Sequence, residues 1–176
     1  MFERLERNLK YKGSILDVYQ DHIQVPNGNV AKWDFIMHKG AAAVLPVKDD
    51  GRIVMVKQYR NAIDRMALEI PAGGKNGVDE PTIVAAAREL EEETGYKSDN
   101  LELLTSIVPA IAYSSEIIDI YLARDLQPSK QHLDEDEFVE VCEFTLDELC
   151  QKIYSCEIQD AKTIAAIMTY KGKFNL

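Results

Sequence analysis

The chain is poor in cysteine, proline and glycine, with 3, 6 and 9 of them in 176 residues. Cys142, Cys150 and Cys156 lie late in the sequence at spacings that match no zinc motif, so they are expected to be reduced thiols rather than a disulfide or metal framework. Basic residues are also in deficit: 20 Lys and Arg against 30 Asp and Glu give a net charge of −10. That balance disfavours general attraction to nucleic acid or to an anionic membrane, and neither is expected as a partner. No apolar run follows the charges of MFERLERNLKYKG, and no later stretch approaches the length of a membrane span. The expectation is a cytoplasmic protein without a secretory signal. Repeats, low-complexity tracts and Pro/Ser-rich linkers are absent, and His22, His38 and His132 show no metal-ligand spacing.

What is present suits a globular protein: 46% hydrophobic and 28% charged residues, in a length that fits one domain or one domain with an extension. Residues 14–25 and 30–38 read as strands joined by Pro26-Asn27-Gly28-Asn29, an N-terminal hairpin. Residues 41–47 and 52–60 read as a second hairpin across Asp49-Asp50-Gly51, the first arm apolar enough to be buried on both faces. Further strands are expected at Ala67–Pro71, near 101–108 and 116–123, and at Val139–Phe144. Thr145 and Glu148 make a capping box for a helix from about 146 to 154. A last helix, opened by Asp160 and stopping near Gly172, carries Ile164, Ile167 and Met168 as core positions. Residues 127–137 form one long polar connection. The pattern predicts an α/β fold, a mixed sheet with helices on its faces behind a small β extension.

One helix breaks a local rule. GKNGVDEPTIVAAARELEEETGY, Gly74 to Tyr96, places Asp79 as a candidate N-cap, Pro81 near the first helical position and Gly95 at the left-handed stop. Its last turns crowd together Glu89, Glu91, Glu92 and Glu93. Like charges three or four apart cost roughly 0.2–0.5 kcal/mol per pair, and carboxylates at a helix C-terminus oppose the macrodipole. On the helix, Glu89 and Glu93 share one stripe with Glu92 beside them, so two or three carboxylates converge on one point. Hard oxygen ligands of this kind suit Mg²⁺ or Mn²⁺, which bind through a few carboxylates and substrate phosphates. Arg88 precedes Glu92 by four residues and is placed to orient it.

On the glutamates alone, a solvated acidic face is the simpler reading. The wider spacing overturns it. From Gly74 the chain reads five residues, Glu80, seven residues, Arg88-Glu89-Leu90, one residue, Glu92-Glu93, one residue, Gly95, then Tyr96. This resembles the complete signature of the Nudix hydrolases, with Tyr96 where an aliphatic residue is usual. The resemblance implies a Nudix-type α/β/α sandwich in which Glu89 and Glu93 bind metal, Glu92 assists in binding and catalysis, Arg88 is its structural partner, and Glu80 ties loop to helix.

Gln58-Tyr59-Arg60, Leu68–Gly73, Ser115-Glu116 and Asp134–Glu137 further resemble the ADP-ribose pyrophosphatase branch over most of the chain. That resemblance implies hydrolysis of a nucleoside diphosphate sugar, with ADP-ribose going to AMP and ribose 5-phosphate as the leading case. Other nucleoside diphosphate sugars, or a non-catalytic nucleotide-sugar sensor, are the alternatives. Mg²⁺ or Mn²⁺ is the implied cofactor. A homodimer is the implied assembly, with residues 1–40 as the dimerising, substrate-contacting extension and 41–176 as the hydrolase domain. Arg60 is expected at the diphosphate, and the carbonyl of Ala72 or Gly73 at the metal. Glu116 is expected at ribose or metal, Trp33 or Phe35 against adenine, and Glu135 or Glu137 as the base, with Glu135 preferred for its freedom to move. Ala110-Ile111-Ala112 departs from the Ser-Pro-Gly usual in that branch.

Overall fold

The computed structural model describes residues 1–13, 16–133, 135 and 137–176. These fall into two compact units: residues 1–40 with 108–117, and residues 41–107 with 118–176. The segment 108–117 is therefore part of the first unit, which the expected division at residue 40 did not include.

The first unit is an antiparallel meander of β1 (Glu3–Lys12), β2 (Asp17–Gln24) and β3 (Val30–Met37), with β2 central. The expected hairpin is present as β2 and β3, paired from Asp17 with Met37 to Gln24 with Val30. Gly28 makes its turn possible: its φ of +87° suits a residue without Cβ, and its N–H donates to the Val25 carbonyl at 2.9 Å. The strand β1 was not expected. Its side chains are mostly exposed, so no clear apolar alternation marks it in the sequence. Arg7 on β1 donates to buried Asp21 on β2 through Nε at 2.7 Å and Nη2 at 2.6 Å, while its guanidinium lies 4.0 Å from the Phe35 ring centre. This fork clamps three strands through one side chain. The segment 108–117 joins through Ile36, whose N–H donates to the Tyr113 carbonyl at 2.7 Å and whose carbonyl accepts from Ser115 at 3.1 Å.

The second unit contains β4 (Ala41–Pro46), β5 (Ile53–Arg60), β6 (Arg65–Glu69), β7 (Ala72–Gly74), α1 (Thr82–Thr94), β8 (Tyr96–Lys97), β9 (Asn100–Ile107), β10 (Ile118–Arg124), β11 (Gln127–Pro128), β12 (Val139–Phe144), α2 (Leu146–Tyr154) and α3 (Ala161–Phe174). A mixed sheet runs β7-β4-β10-β9, with β4 and β10 parallel and the other pairs antiparallel. A second, antiparallel sheet runs β12-β5-β6. The Asp49–Gly51 turn forms as expected, but the strands it joins do not make a hairpin. They pair at the Val47–Ile53 bridge and then enter different sheets.

Alternation along β4 explains the layers. Ala41, Ala43 and Leu45 face a core with Ile120, Leu122, Leu149, Ala166 and Ile167, which covers one side with α2 and α3. Ala42 and Val44 face Ala85, Ala86 and Leu90 of α1 on the other. The result is the expected α/β/α arrangement with a mixed sheet. Each fully buried large side chain contributes roughly 1.5–3 kcal/mol. Alanines on both facing surfaces let α1 lie close to the sheet, which brings its C-terminal half against β7.

Three helix details differ from expectation. Pro81, not Asp79, is the N-cap of α1, and Val84 and Ala85 donate to its carbonyl. The last helix runs through Gly172 to Phe174 and is stopped by Asn175 with φ +55°. Met168 is partly exposed rather than core, while Ile167 is fully buried. The capping box at Thr145 and Glu148 and the left-handed stop at Gly95 are both present.

Candidate active site

The α1 glutamates are not a solvated face. Glu89 is 8% and Glu93 3% exposed. Both press on the backbone of β7: the Ala72 N–H donates to Glu93 Oε2 at 3.0 Å, and a Cβ placed on Gly73 would coincide with the Glu89 carboxylate. Arg88 holds the surrounding groups. Its Nη1 donates to Glu89 Oε1 at 2.6 Å and to Glu92 Oε2 at 2.9 Å, its Nη2 donates to the Gly74 carbonyl at 2.9 Å, and its Nε lies 3.7 Å from Glu80 Oε1. Glu80 also accepts from the Asn76 N–H at 2.6 Å. Arg88 thus ties the loop to the helix, alongside Glu80, for which that role was expected.

The helix end is also stabilised from outside. His132 donates its N–H to the Glu92 carbonyl at 2.9 Å, Gln131 Nε2 donates to the Glu93 carbonyl at 2.7 Å, and Ser129 donates its N–H to the Gly95 carbonyl at 2.6 Å. These bonds satisfy carbonyls that a helix terminus leaves unpaired. They also anchor the start of the polar connection beside the acidic helix.

Burial pushes the Glu93 carboxyl up to about 8; its bond from Ala72 opposes this, the charges of Glu89 and Glu137 add to it, and Arg60 opposes it. Burial likewise pushes Glu89 up, against Arg88 and with the charges of Glu92 and Glu137. Two buried carboxylates repelling each other form a site short of positive charge. Among the described residues no three acidic, histidine or cysteine side chains converge as a ready cluster. The donor set still fits a hard divalent cation, because Mg²⁺ and Mn²⁺ need only one or two protein carboxylates when phosphates and waters complete the shell.

Arg60, at the end of β5, donates Nε and Nη2 to Glu69 Oε1 and Oε2 at 2.7 Å each, and its side chain remains 41% exposed. Its charge is felt by Glu93, so it belongs to the same neighbourhood. Glu69 was not singled out in the sequence. A lone glutamate in the apolar stretch Ala67–Pro71 was the available signal. Of the loop glutamates, Glu137 lies close enough for its charge to raise both Glu89 and Glu93, and Glu135 is exposed in a turn. Asp134 and Asp136 lie outside the described residues.

Trp33, Phe35 and Glu116 belong to the first unit. Trp33 is half exposed, with its ring centre 6.1 Å from that of Phe2. Phe35 is engaged by Arg7. Glu116 Oε1 lies 3.7 Å from His38 Nδ1.

Residues 37–167 match the NUDIX domain model. The chain belongs to the Nudix family. This Nudix hydrolase is 43% identical over 159 residues to the ADP-ribose pyrophosphatase of Bacillus subtilis (strain 168), covering 89% of this chain and 85% of the relative. It is 40% identical over 159 residues to the methanol dehydrogenase activator of Bacillus methanolicus, with the same coverage of both chains. With the ADP-ribose pyrophosphatase of Mycobacterium tuberculosis (strain ATCC 25618 / H37Rv) it shares 29% identity over 171 residues, 95% of this chain and 82% of that one. The Nudix fold also superposes on the crystal structure of an ADP compounds hydrolase with TM-score 0.86 at 20% identity, over 99% of this chain and 94% of the other. No helix among the described residues is long and apolar enough to cross a membrane.

Proposed function

We propose that this Nudix enzyme hydrolyses the pyrophosphate bond of ADP-ribose, giving AMP and ribose 5-phosphate. The observation that carries the chemistry is the buried Glu89–Glu93 pair held against the β7 backbone. The substrate is supported by the names of relatives in Bacillus subtilis and Mycobacterium tuberculosis.

When bound, Mg²⁺ or Mn²⁺ supplies Lewis-acid polarisation of the phosphates and lowers the pKa of an attacking water. Glu89 and Glu93 would hold that ion, assisted by the Ala72 carbonyl and Glu92. Arg88 keeps Glu89 and Glu92 in fixed rotamers, so the site needs little reorganisation when substrate arrives. Arg60 presents its exposed edge to the diphosphate and stabilises charge on the departing phosphate. A carboxylate of the 134–137 loop accepts the water's proton. The reach of the Glu137 charge to Glu89 and Glu93 supports Glu137 over Glu135 in this role. Trp33 or Phe35 supplies a stacking surface for adenine. The exposed Phe2, Leu5, Leu9 and Trp33 of the first unit support a homodimer, and the three free thiols suit the cytoplasm.

A panel of nucleoside diphosphate sugars with Mg²⁺ tests the reading. Preferred turnover of ADP-ribose, with AMP and ribose 5-phosphate released in equal amounts, is expected. Preference for a non-adenine sugar nucleotide contradicts the substrate assignment, and no turnover of any contradicts the chemistry.

A further inference from the structure

Lys162 lies in the first turn of α3, where a cation opposes the helix dipole. It is also buried. Helix stability therefore does not account for it, and its contacts do. Its Nζ reaches Glu69 Oε2, a residue 93 positions away, and lies 3.0 Å from Asp160 Oδ2. Asp160 caps α3 by accepting from the Thr163 N–H at 3.0 Å, and Thr163 Oγ1 accepts from the Ile70 N–H at 3.0 Å. The start of α3 is thus locked to the end of β6, and Lys162 is held at one geometry.

Glu69 is shared by two cations. The Arg60 fork occupies both of its oxygens while Lys162 contacts one of them. Burial pushes Glu69 up, but Arg60 and Lys162 together bring it below the ordinary carboxylate range. Two cations and two carboxylates balance in this cluster. Both Arg60 and Lys162 line a cavity of about 390 Å³ with Glu69 and Asp160.

We infer that Lys162 is a positioning residue for Arg60: by sharing Glu69 and neutralising Asp160, it fixes the guanidinium and keeps the cluster from turning anionic towards a substrate phosphate. Without Lys162 the Arg60–Glu69 pair is still neutral, but Asp160, whose charge reaches Arg60, is left uncompensated. The cluster then turns anionic beside the phosphate-binding edge. The inference rests on the reading that Arg60 meets the diphosphate.

Wild type, Lys162→Met, Lys162→Arg, Arg60→Ala and the Lys162→Met/Arg60→Ala pair are compared with ADP-ribose and Mg²⁺ at low and high ionic strength. Lys162→Met raises KM about tenfold with little change in kcat, as expected for lost binding rather than lost chemistry. The increase shrinks in high salt, is reversed by Lys162→Arg, and is absent in the Arg60→Ala background. Should Lys162→Met fail to fold, Lys162→Gln carries the same expectations. An Arg60→Ala protein with unchanged KM overturns the reading of Arg60 and the inference with it. If Arg60→Ala raises KM, a Lys162 variant that lowers thermal stability without changing KM, or whose KM increase persists undiminished in the Arg60→Ala background, overturns the inference alone.

Discussion

The carboxylate of Glu89 occupies the space that a Cβ on Gly73 would need. The glycine is required there for close approach, since its φ lies outside the left-handed range. Gly73→Ala meets only the carboxylate end of the Glu89 side chain and no backbone, so the fold should survive while the carboxylate is pushed from its bond to Arg88. We expect kcat/KM to fall roughly 10–100-fold, the scale of an ångström-level misplacement, with a thermal midpoint close to wild type. Steady-state kinetics and a thermal melt on the same sample check both parts.

The raised carboxyl of Glu93 gives the metal-free protein a pH signature. Its folded pKa of about 8 lies above the ordinary value of 4.5, so the folded state holds a proton that the unfolded state releases. The stabilisation is complete below about 4.5 and is lost as pH rises through about 8. Denaturant midpoints in excess chelator should therefore fall from pH 5 to pH 9, and Glu93→Gln should flatten that decline. A wild-type profile parallel to that of the variant would place the titration elsewhere.

The Nudix signature was legible because its residues act within one loop and one helix: Gly74, Glu80, Arg88, Glu89 and Glu93 are bound to each other by local spacing. The central strand was legible because β4 is a continuous apolar run, buried along its whole length. What was not legible depends on distant pairing. Nothing between Ile53 and Arg60 says that β5 takes β6 and β12 as neighbours rather than β4. The Glu69–Lys162 contact spans most of the domain. Strand β1 has so little buried surface that it leaves no apolar pattern to read.

For the loop base, freedom of movement favours Glu135 and electrostatic proximity favours Glu137. The charge of Glu137 already raises Glu89 and Glu93. Glu137→Gln should lower kcat by roughly 10²–10⁴-fold, the usual worth of a general base, with KM little changed, and Glu135→Gln should do much less. The reverse order returns the base to Glu135, and wild-type kcat in both variants removes this loop from proton transfer.

A three-stranded sheet with exposed Phe2, Leu5, Leu9 and Trp33 needs a surface to cover it. Light scattering should give the mass of a dimer, and deletion of residues 1–12 should yield monomers of reduced activity. A monomeric, fully active wild type at working concentration would end the dimer proposal.

The central claim is that Glu89 and Glu93 carry a divalent ion for hydrolysis of ADP-ribose. It is tested most directly by AMP release from ADP-ribose, measured with Mg²⁺ for wild type and a folded Glu93→Gln protein, and with excess chelator for wild type. Chelator should stop the reaction, and Glu93→Gln should slow it by roughly 10²–10³-fold or more. Turnover at the wild-type rate in either case would contradict the claim.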